Sequence, residues 1–159
     1  SPGALEAAGI SIVSVGSKAS IPLAHAILKS IGVPVYALFD ADGGFEARAK
    51  AKNKKQDDID RELNNHAVEN RRLMRYFGLP EEDFPSATIS DVAAIFDDHL
   101  ESFLSENWRE WMVACRSVED AAGISLSKNQ LAYRSATLRS DGVVPEMLMQ
   151  ILAKVRCTA

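Results

Sequence analysis

An apolar run that ends in acidic residues constrains the fold of this chain more than any other feature. The run is "VPVYALFDADGG", residues 33–44, and it carries no charge before its first aspartate. Such a run is typical of a strand that is buried on both faces in a parallel sheet. It is preceded by a β-branched segment, "ISIVSV" (10–15), and by apolar residues at helical spacing over 21–31. Strand, helix and strand within about thirty residues predict a βαβ unit and an α/β fold.

The rest of the sequence predicts mainly helices. A long polar segment from Arg48 to Phe77 repeats apolar residues at helical spacing, and a loop with two prolines follows it. The next stretch begins extended and turns helical near Asp97. Three further helices are expected at about 104–122, 127–140 and 145–156.

Composition excludes several classes of protein. A chain of 159 residues is long enough to bury a substantial core. Cys115 and Cys157 show no paired spacing with each other or with histidine, so neither a zinc site nor a disulfide framework is expected. Two isolated thiols suit a reducing compartment, and we predict a cytoplasmic protein. No segment reaches the ~20 apolar residues of a membrane-spanning helix.

Basic residues are concentrated in one part of an otherwise acidic chain. The net charge is −4, yet half of the 18 Lys and Arg residues fall between residues 48 and 75. This segment is either a solvated helix surface or a patch that contacts the phosphates of DNA or RNA. The candidate nucleic-acid-binding residues are Lys52, Lys54, Lys55, Arg71 and Arg72.

Asp40 and Asp42 stand at the carboxyl end of the second predicted strand and are followed by Gly43 and Gly44. One interpretation is an Asp/Gly turn that ends the strand and needs no function. The other is a metal site, because ligands gather at this edge of open α/β sheets and Mg²⁺ prefers carboxylate oxygens. The glycines would let the backbone turn sharply beside a bound group.

The segment "FDADGG" is similar to the DxDG[TV] pattern of haloacid-dehalogenase-like phosphatases, in which the first aspartate is a nucleophile. Gly44 replaces the threonine or valine of that pattern. Those enzymes also place a lysine before a pair of acids, whereas Asp97 and Asp98 here precede Lys128. The order of the motifs argues against a Mg²⁺-dependent phosphatase, which remains an alternative.

A second resemblance covers more of the chain. The stretch "GISIVSVGSKASI" followed by "IGVPVYALFDAD" resembles the Toprim domain of OLD-family (overcoming lysogenization defect) endonucleases over residues 9–44. One departure is Ser17, where a second glycine is usual. The resemblance implies a metal-dependent DNA endonuclease of the two-metal type that uses Mg²⁺ or Mn²⁺, with Asp40 and Asp42 among the metal ligands.

The resemblance also implies residues further along the chain. The segment "AIFDDHLESFL" is similar to an acidic strand-to-helix segment of the family, with Glu101 as its glutamate. His99 stands where an aspartate is more common, so Asp97 or Asp98 would supply that metal ligand. Lys128 in "SKNQLAYRSA" matches a family lysine and would stabilise the charge that develops on the scissile phosphate.

By this resemblance the fold is a Toprim-like, Rossmann-like parallel sheet core in two parts. Residues 1–46 form its first half, 47–83 a basic helical insertion, and 84–159 the return to the core and a helical C-terminal tail. The glutamate-bearing first strand of Toprim domains and a Walker motif are both missing from the sequence. We therefore expect a fragment of a longer chain that alone is inactive.

In that longer chain the expected partners are DNA and an N-terminal ATPase domain, through which alone ATP would act. The assembly state is left open, with a homodimer as one option. A non-catalytic Toprim-like module that binds DNA or protein is a third interpretation. His25 and His66 are expected at the surface without ligand roles, and Trp108 and Trp111 in a core or interface.

Overall fold

The computed structural model describes residues 7–123, 125 and 130–158. A 3₁₀ turn, Lys18–Ser20, leads into the first helix. The helices and strands that follow are α1 (Ile21–Ser30), β1 (Ala37–Asp40), α2 (Phe45–Ala51), α3 (Gln56–Tyr76), β2 (Thr88–Ile89), β3 (Ala93–Phe96), α4 (Leu100–Asn107), α5 (Arg109–Ala122), α6 (Gln130–Arg139) and α7 (Glu146–Thr158). No helix in the described part of the chain is both long and apolar enough to cross a membrane.

The described sheet has three strands in the order β1-β3-β2. Strands β1 and β3 pair in parallel, with Ala37 opposite Ala93 and Asp40 opposite Phe96. Strand β2 pairs antiparallel with β3. Only three residues separate β2 from β3, a link that suits an antiparallel pair but is far too short for a parallel crossover. The α/β class is confirmed, whereas the fully parallel, Rossmann-like sheet is not found among the described residues.

Strand β1 is less buried than the sequence predicts. Ala37 and Phe39 are buried, but Leu38 between them is 46% exposed. All four residues of β3, by contrast, are buried. The difference follows from position, because β3 has a partner on each side while β1 lies at one edge of the described sheet.

The first strand of the predicted βαβ unit does not form. Residues 10–15 have no regular secondary structure, and Ile12 is 79% exposed. A high β propensity stabilises a strand only through pairing and packing, and no described strand pairs with this segment. The helix and the second strand of the unit are confirmed as α1 and β1, but the prediction of a strand at 10–15 is wrong.

The basic segment is helical as predicted, with a break that divides it into two helices. Helix α2 ends before Asn53, whose φ of 55° lies in the left-handed region, and α3 begins at Gln56. Helix α3 packs Leu73 and Met74 against the sheet residues Phe39 and Ile95. Asn70 is the one polar residue on the buried face of α3, and its side chain contacts the candidate functional site.

The described chain forms two compact units, residues 1–99 with 150–159 and residues 100–149. The second unit contains α4, α5 and α6 around a core of Trp108, Trp111, Ala114, Cys115, Val118 and Ala136. The Trp111 indole stacks on Tyr133 with ring centroids 5.8 Å apart, and its Nε1 donates to Thr137 Oγ1 at 3.1 Å. The prediction that both tryptophans lie in a core is confirmed.

Candidate functional site at the end of strand β1

Residues 40–44, here called the DAD loop, close against the chain that follows β3. The Ala41 N–H donates to Phe96 O at 2.7 Å, which extends the parallel pairing by one residue. The Gly43 N–H then donates to Asp97 O at 2.9 Å. Asp42 adopts a φ of 58°, which turns the chain sharply between these two bonds. The loop is therefore fixed by backbone contacts at the carboxyl edge of the two parallel strands.

The carboxylate of Asp42 faces three basic side chains from three different segments. Lys18 Nζ lies 2.6 Å from Asp42 Oδ2, and His66 Nδ1 lies 3.2 Å from the same oxygen. Arg48 Nη2 lies 3.9 Å from Oδ1. These residues come from the turn before α1, from α3 and from α2 respectively. The sequence predicts that the negative charge of Asp42 binds a metal ion. In this structure basic side chains of the protein lie against that carboxylate instead.

The ammonium group of Lys18 has three acceptors. It donates to Asp40 O at 3.0 Å, to Asp42 Oδ2 at 2.6 Å and to Asn70 Oδ1 at 3.0 Å. An ammonium group carries three N–H donors, so this set satisfies it completely. The side chain is only 12% exposed. A lysine that is this enclosed is stable as a cation only when its charge is paired and hydrogen-bonded.

Asn70 connects helix α3 to the DAD loop. Its fully buried side chain donates from Nδ2 to Ala41 O at 2.8 Å and to Asp83 O at 2.7 Å. The orientation of the amide is fixed by these partners, because the reverse would place Oδ1 against two carbonyl oxygens and Nδ2 against an ammonium group. Asn70 is not among the functional residues that the sequence predicts. The available signal was a polar residue within the apolar stripe of a helix.

A second pair of opposite charges flanks the loop. Arg48 Nη1 forms an ion pair with Asp98 Oδ2. Gly44 lies directly beside this pair, and a Cβ atom there would fall 2.5 Å from Asp98 Oδ2 and 2.7 Å from Arg48 Nη1. The Gly44 that departs from the phosphatase pattern is therefore matched to its surroundings in this structure.

His66 also belongs to the site, although the sequence predicts a surface residue without a role. It is 25% exposed, and its ring packs on Phe45 with centroids 4.9 Å apart. Its Nδ1 is inaccessible to solvent and points toward the Asp42 carboxylate. No sequence spacing links His66 to Asp42, because the contact depends on how α3 packs over the loop.

The predicted metal ligands and the predicted catalytic lysine are distributed over different parts of the chain. Asp40 ends β1, and the exposed Asp97 directly follows β3, so both stand at the same sheet edge as Asp42. Glu101 lies on α4, in the second compact unit. Lys128 lies outside the described residues. The assignment of these residues as ligands and catalyst stays a prediction.

The carboxylates at this edge have the oxygen chemistry that Mg²⁺ or Mn²⁺ requires, and in this structure Asp42 and Asp98 are paired with basic side chains. Among the described residues no three His, Cys, Asp or Glu side chains converge as a metal-binding group. Asp42 is engaged by Lys18, and Asp98 by Arg48. A divalent ion at Asp42 would have to compete with the lysine ammonium for the same oxygen.

The five candidate nucleic-acid-binding residues fall into two groups. Lys54 is paired with Glu62 at 2.9 Å and lies over the Phe45 ring, and Arg71 forms an ion pair with Asp83. The other three, Lys52, Lys55 and Arg72, are exposed, and no ion pair involves them within the described part of the chain. These three are the cations that are available to phosphates.

Comparison with known families finds a match to the N-terminal part of this chain. The family model described as "Overcoming lysogenization defect protein-like, TOPRIM domain" matches residues 2–42. The match ends on Asp42, so it includes both aspartates of the DAD loop. No curated protein and no solved structure gives a significant match.

This match confirms the resemblance predicted from the sequence: residues 2–42 are similar to the Toprim domain of OLD-like proteins. Toprim domains are metal-binding modules of nucleic-acid-processing proteins, among them nucleases and primases. The match gives no support to the phosphatase alternative.

Proposed function

We propose that this chain is the Toprim part of an OLD-type endonuclease that hydrolyses phosphodiester bonds of DNA with Mg²⁺ or Mn²⁺. One observation carries the proposal. The segment that matches the family ends on Asp40 and Asp42, and these residues lie at the carboxyl edge of β1, beside the end of the parallel strand β3. Ligands of open α/β sheets gather at this edge.

The proposed metal ligands are Asp40, Asp42, Asp97 and Glu101, and the proposed catalytic residue is Lys128. Carboxylate oxygens are the ligands that Mg²⁺ prefers, and Asp40, Asp42 and Asp97 stand at one edge of the sheet. Lysine is suited to the charge of a phosphate group as a compact point charge. We further propose that the intact protein carries an ATPase domain upstream of this chain and that ATP acts only through that domain.

The proposed DNA contacts are to phosphates and not to bases. Lys52 and Lys55 border the break between α2 and α3, and Arg72 is exposed further along α3. Contacts between such side chains and phosphates position a duplex without reading its sequence. Lys54 and Arg71 contribute less, because each already has an acidic partner.

The nuclease proposal predicts that the full-length gene product nicks supercoiled plasmid with Mg²⁺ or Mn²⁺ and not with EDTA. Asp40→Ala and Lys128→Ala should each lower the nicking rate by about 10²-fold or more. Asp57→Ala and Lys29→Ala, which change exposed residues of α3 and α1, should leave the rate unchanged. Gel electrophoresis of nicked and supercoiled plasmid measures the rate.

Absence of cleavage by the full-length product with either metal would refute this proposal. Retained DNA binding in that case would favour the non-catalytic Toprim-like module. Hydrolysis of a small aryl phosphate without nicking would favour the phosphatase.

The assignment of DNA contacts predicts a change in the salt dependence of binding. Replacing Lys52, Lys55 and Arg72 together with glutamine should weaken binding to duplex DNA and reduce the slope of log K against log salt by about 2–3. The double variant Lys54→Gln with Arg71→Gln should change the slope by less than about 1, because both cations are already paired. Fluorescence anisotropy at several salt concentrations measures both. An unchanged slope in the triple variant would make this segment a solvated helix surface.

A further inference from the structure

The cation that contacts the DAD loop in this structure is a side chain of the protein, Lys18. Lys18 Nζ binds Asp42 Oδ2 at 2.6 Å, on a carboxylate that the proposed function assigns to a metal. The same nitrogen is held by Asp40 O and by Asn70 Oδ1, each at 3.0 Å. The ammonium group is therefore fixed from three sides and is not a mobile surface charge.

Asn70 makes this position rigid. Its two amide hydrogens are used by Ala41 O and Asp83 O, so Oδ1 can point only toward Lys18. The side chain is fully buried on the apolar face of α3, next to Leu73 and Met74. The buried amide donates to two backbone carbonyls and accepts from the ammonium group. It therefore holds the lysine and the loop in a fixed relative position.

A divalent ion and the Lys18 ammonium cannot share Asp42 Oδ2 without strong repulsion. Mg²⁺ binds a carboxylate oxygen at ~2.1 Å, and Lys18 Nζ already lies 2.6 Å from this oxygen. The two cations would then be about 5 Å apart or closer, in a site that is largely shielded from water. Binding of the metal requires that the lysine withdraw from the carboxylate.

We propose that Lys18 is a tethered counter-ion of the DAD loop, held in place by Asn70, which competes with a divalent metal ion for Asp42. In the metal-free protein Lys18 compensates the loop charge and keeps the loop folded. When the metal binds, Lys18 is displaced, and Asn70 acts as the positioning residue that sets how readily this happens. The inference rests on the proposed function only in treating Asp42 as a metal ligand, and it does not require DNA cleavage.

The test measures binding of Mn²⁺ alone, by electron paramagnetic resonance of the free ion. Lys18→Met keeps most of the aliphatic stem and removes the charge, so Mn²⁺ should bind about 10-fold tighter than to the wild type. Lys18→Arg retains a cation and should bind close to wild type. Adding Asp42→Asn to Lys18→Met should abolish this increase in Mn²⁺ affinity. Lys29→Met, an exposed lysine of α1, should have no effect.

A second measurement covers the case in which Lys18→Met folds poorly without metal. Its melting temperature in EDTA should lie about 5 °C below that of the wild type, and Mn²⁺ should raise it more than it raises the wild-type value. Mn²⁺ affinity and melting temperature that respond to Lys18→Met as they do to Lys29→Met would overturn the inference.

The nuclease proposal and the counter-ion proposal can be refuted independently of each other. Tighter Mn²⁺ binding by Lys18→Met without plasmid nicking by any variant would support the counter-ion and refute the nuclease. Plasmid nicking that depends on Asp40, with Mn²⁺ affinity unchanged by Lys18→Met, would support the nuclease and refute the counter-ion.

Discussion

Replacing Asn70 with alanine is expected to lower the free energy of unfolding by about 3 kcal/mol, the largest effect that we predict for a single substitution. The side chain is fully buried and joins three groups, Ala41 O, Asp83 O and Lys18 Nζ. Alanine removes all three hydrogen bonds at once and leaves two carbonyl oxygens and a cation to be satisfied by water in a closed site. Such losses cost far more than the net gain of a hydrogen bond suggests.

Asn65→Ala is the matched control for this prediction. Asn65 lies on the same helix and is exposed, so the gain in helix propensity from asparagine to alanine is shared by both variants. The control should change the free energy of unfolding by no more than about 0.5 kcal/mol. Urea unfolding followed by circular dichroism at neutral pH measures both values. Equal effects of the two substitutions would show that the network around Asn70 does not stabilise the fold.

A second variant separates the donors of Asn70 from its acceptor. Asn70→Asp keeps an oxygen toward Lys18 but removes the N–H groups that bind Ala41 O and Asp83 O. It should therefore destabilise the protein through the two carbonyl contacts while it strengthens the attraction to the lysine. Because an anionic oxygen would then face both carbonyl oxygens in a buried position, the expected loss of stability in urea unfolding is comparable to that of Asn70→Ala.

The sequence predicts those parts of the structure that depend on local pattern. The apolar spacing of residues 21–31 and the uncharged run before Asp40 correspond to α1 and β1. The same logic is wrong at residues 10–15, where the composition suits a strand but the described residues provide no partner for it. A strand depends on hydrogen bonds to another strand, and composition alone does not reveal whether that partner is present.

The sequence predicts where the candidate site lies along β1, but it does not predict which charged side chains surround it. A strand that ends in two aspartates indicates a functional edge from sequence alone. The basic side chains around Asp42 are those of Lys18, Arg48 and His66, which are brought to it by the fold. Counting carboxylates therefore predicts an uncompensated acidic cluster, whereas the fold supplies the compensation, mainly through Lys18 of the turn before α1.

The two glycines of the DAD loop illustrate the same limit. The sequence indicates that Gly43 and Gly44 permit a sharp turn, but it does not distinguish between them. The structure does, because a Cβ atom at Gly43 would lie 2.8 Å from the backbone oxygen of Asp97, whereas one at Gly44 would meet the ends of two side chains. Backbone can move only if the loop moves with it, while side-chain ends can rotate away.

Gly43→Ala is therefore expected to destabilise the protein by about 2 kcal/mol, and Gly44→Ala by less than about 1 kcal/mol. Relief of the Gly43 clash requires the DAD loop to separate from the chain after β3, which would lengthen the 2.9 Å bond from Gly43 N to Asp97 O. Relief at Gly44 requires only that Arg48 and Asp98 reorient, and partly exposed ion pairs contribute little to stability. Urea unfolding of the two variants measures the difference. A cost for Gly44→Ala as large as that for Gly43→Ala would mean that the Arg48–Asp98 pair is held as firmly as the backbone, and the loop would then be fixed by its side chains as much as by its strand contacts.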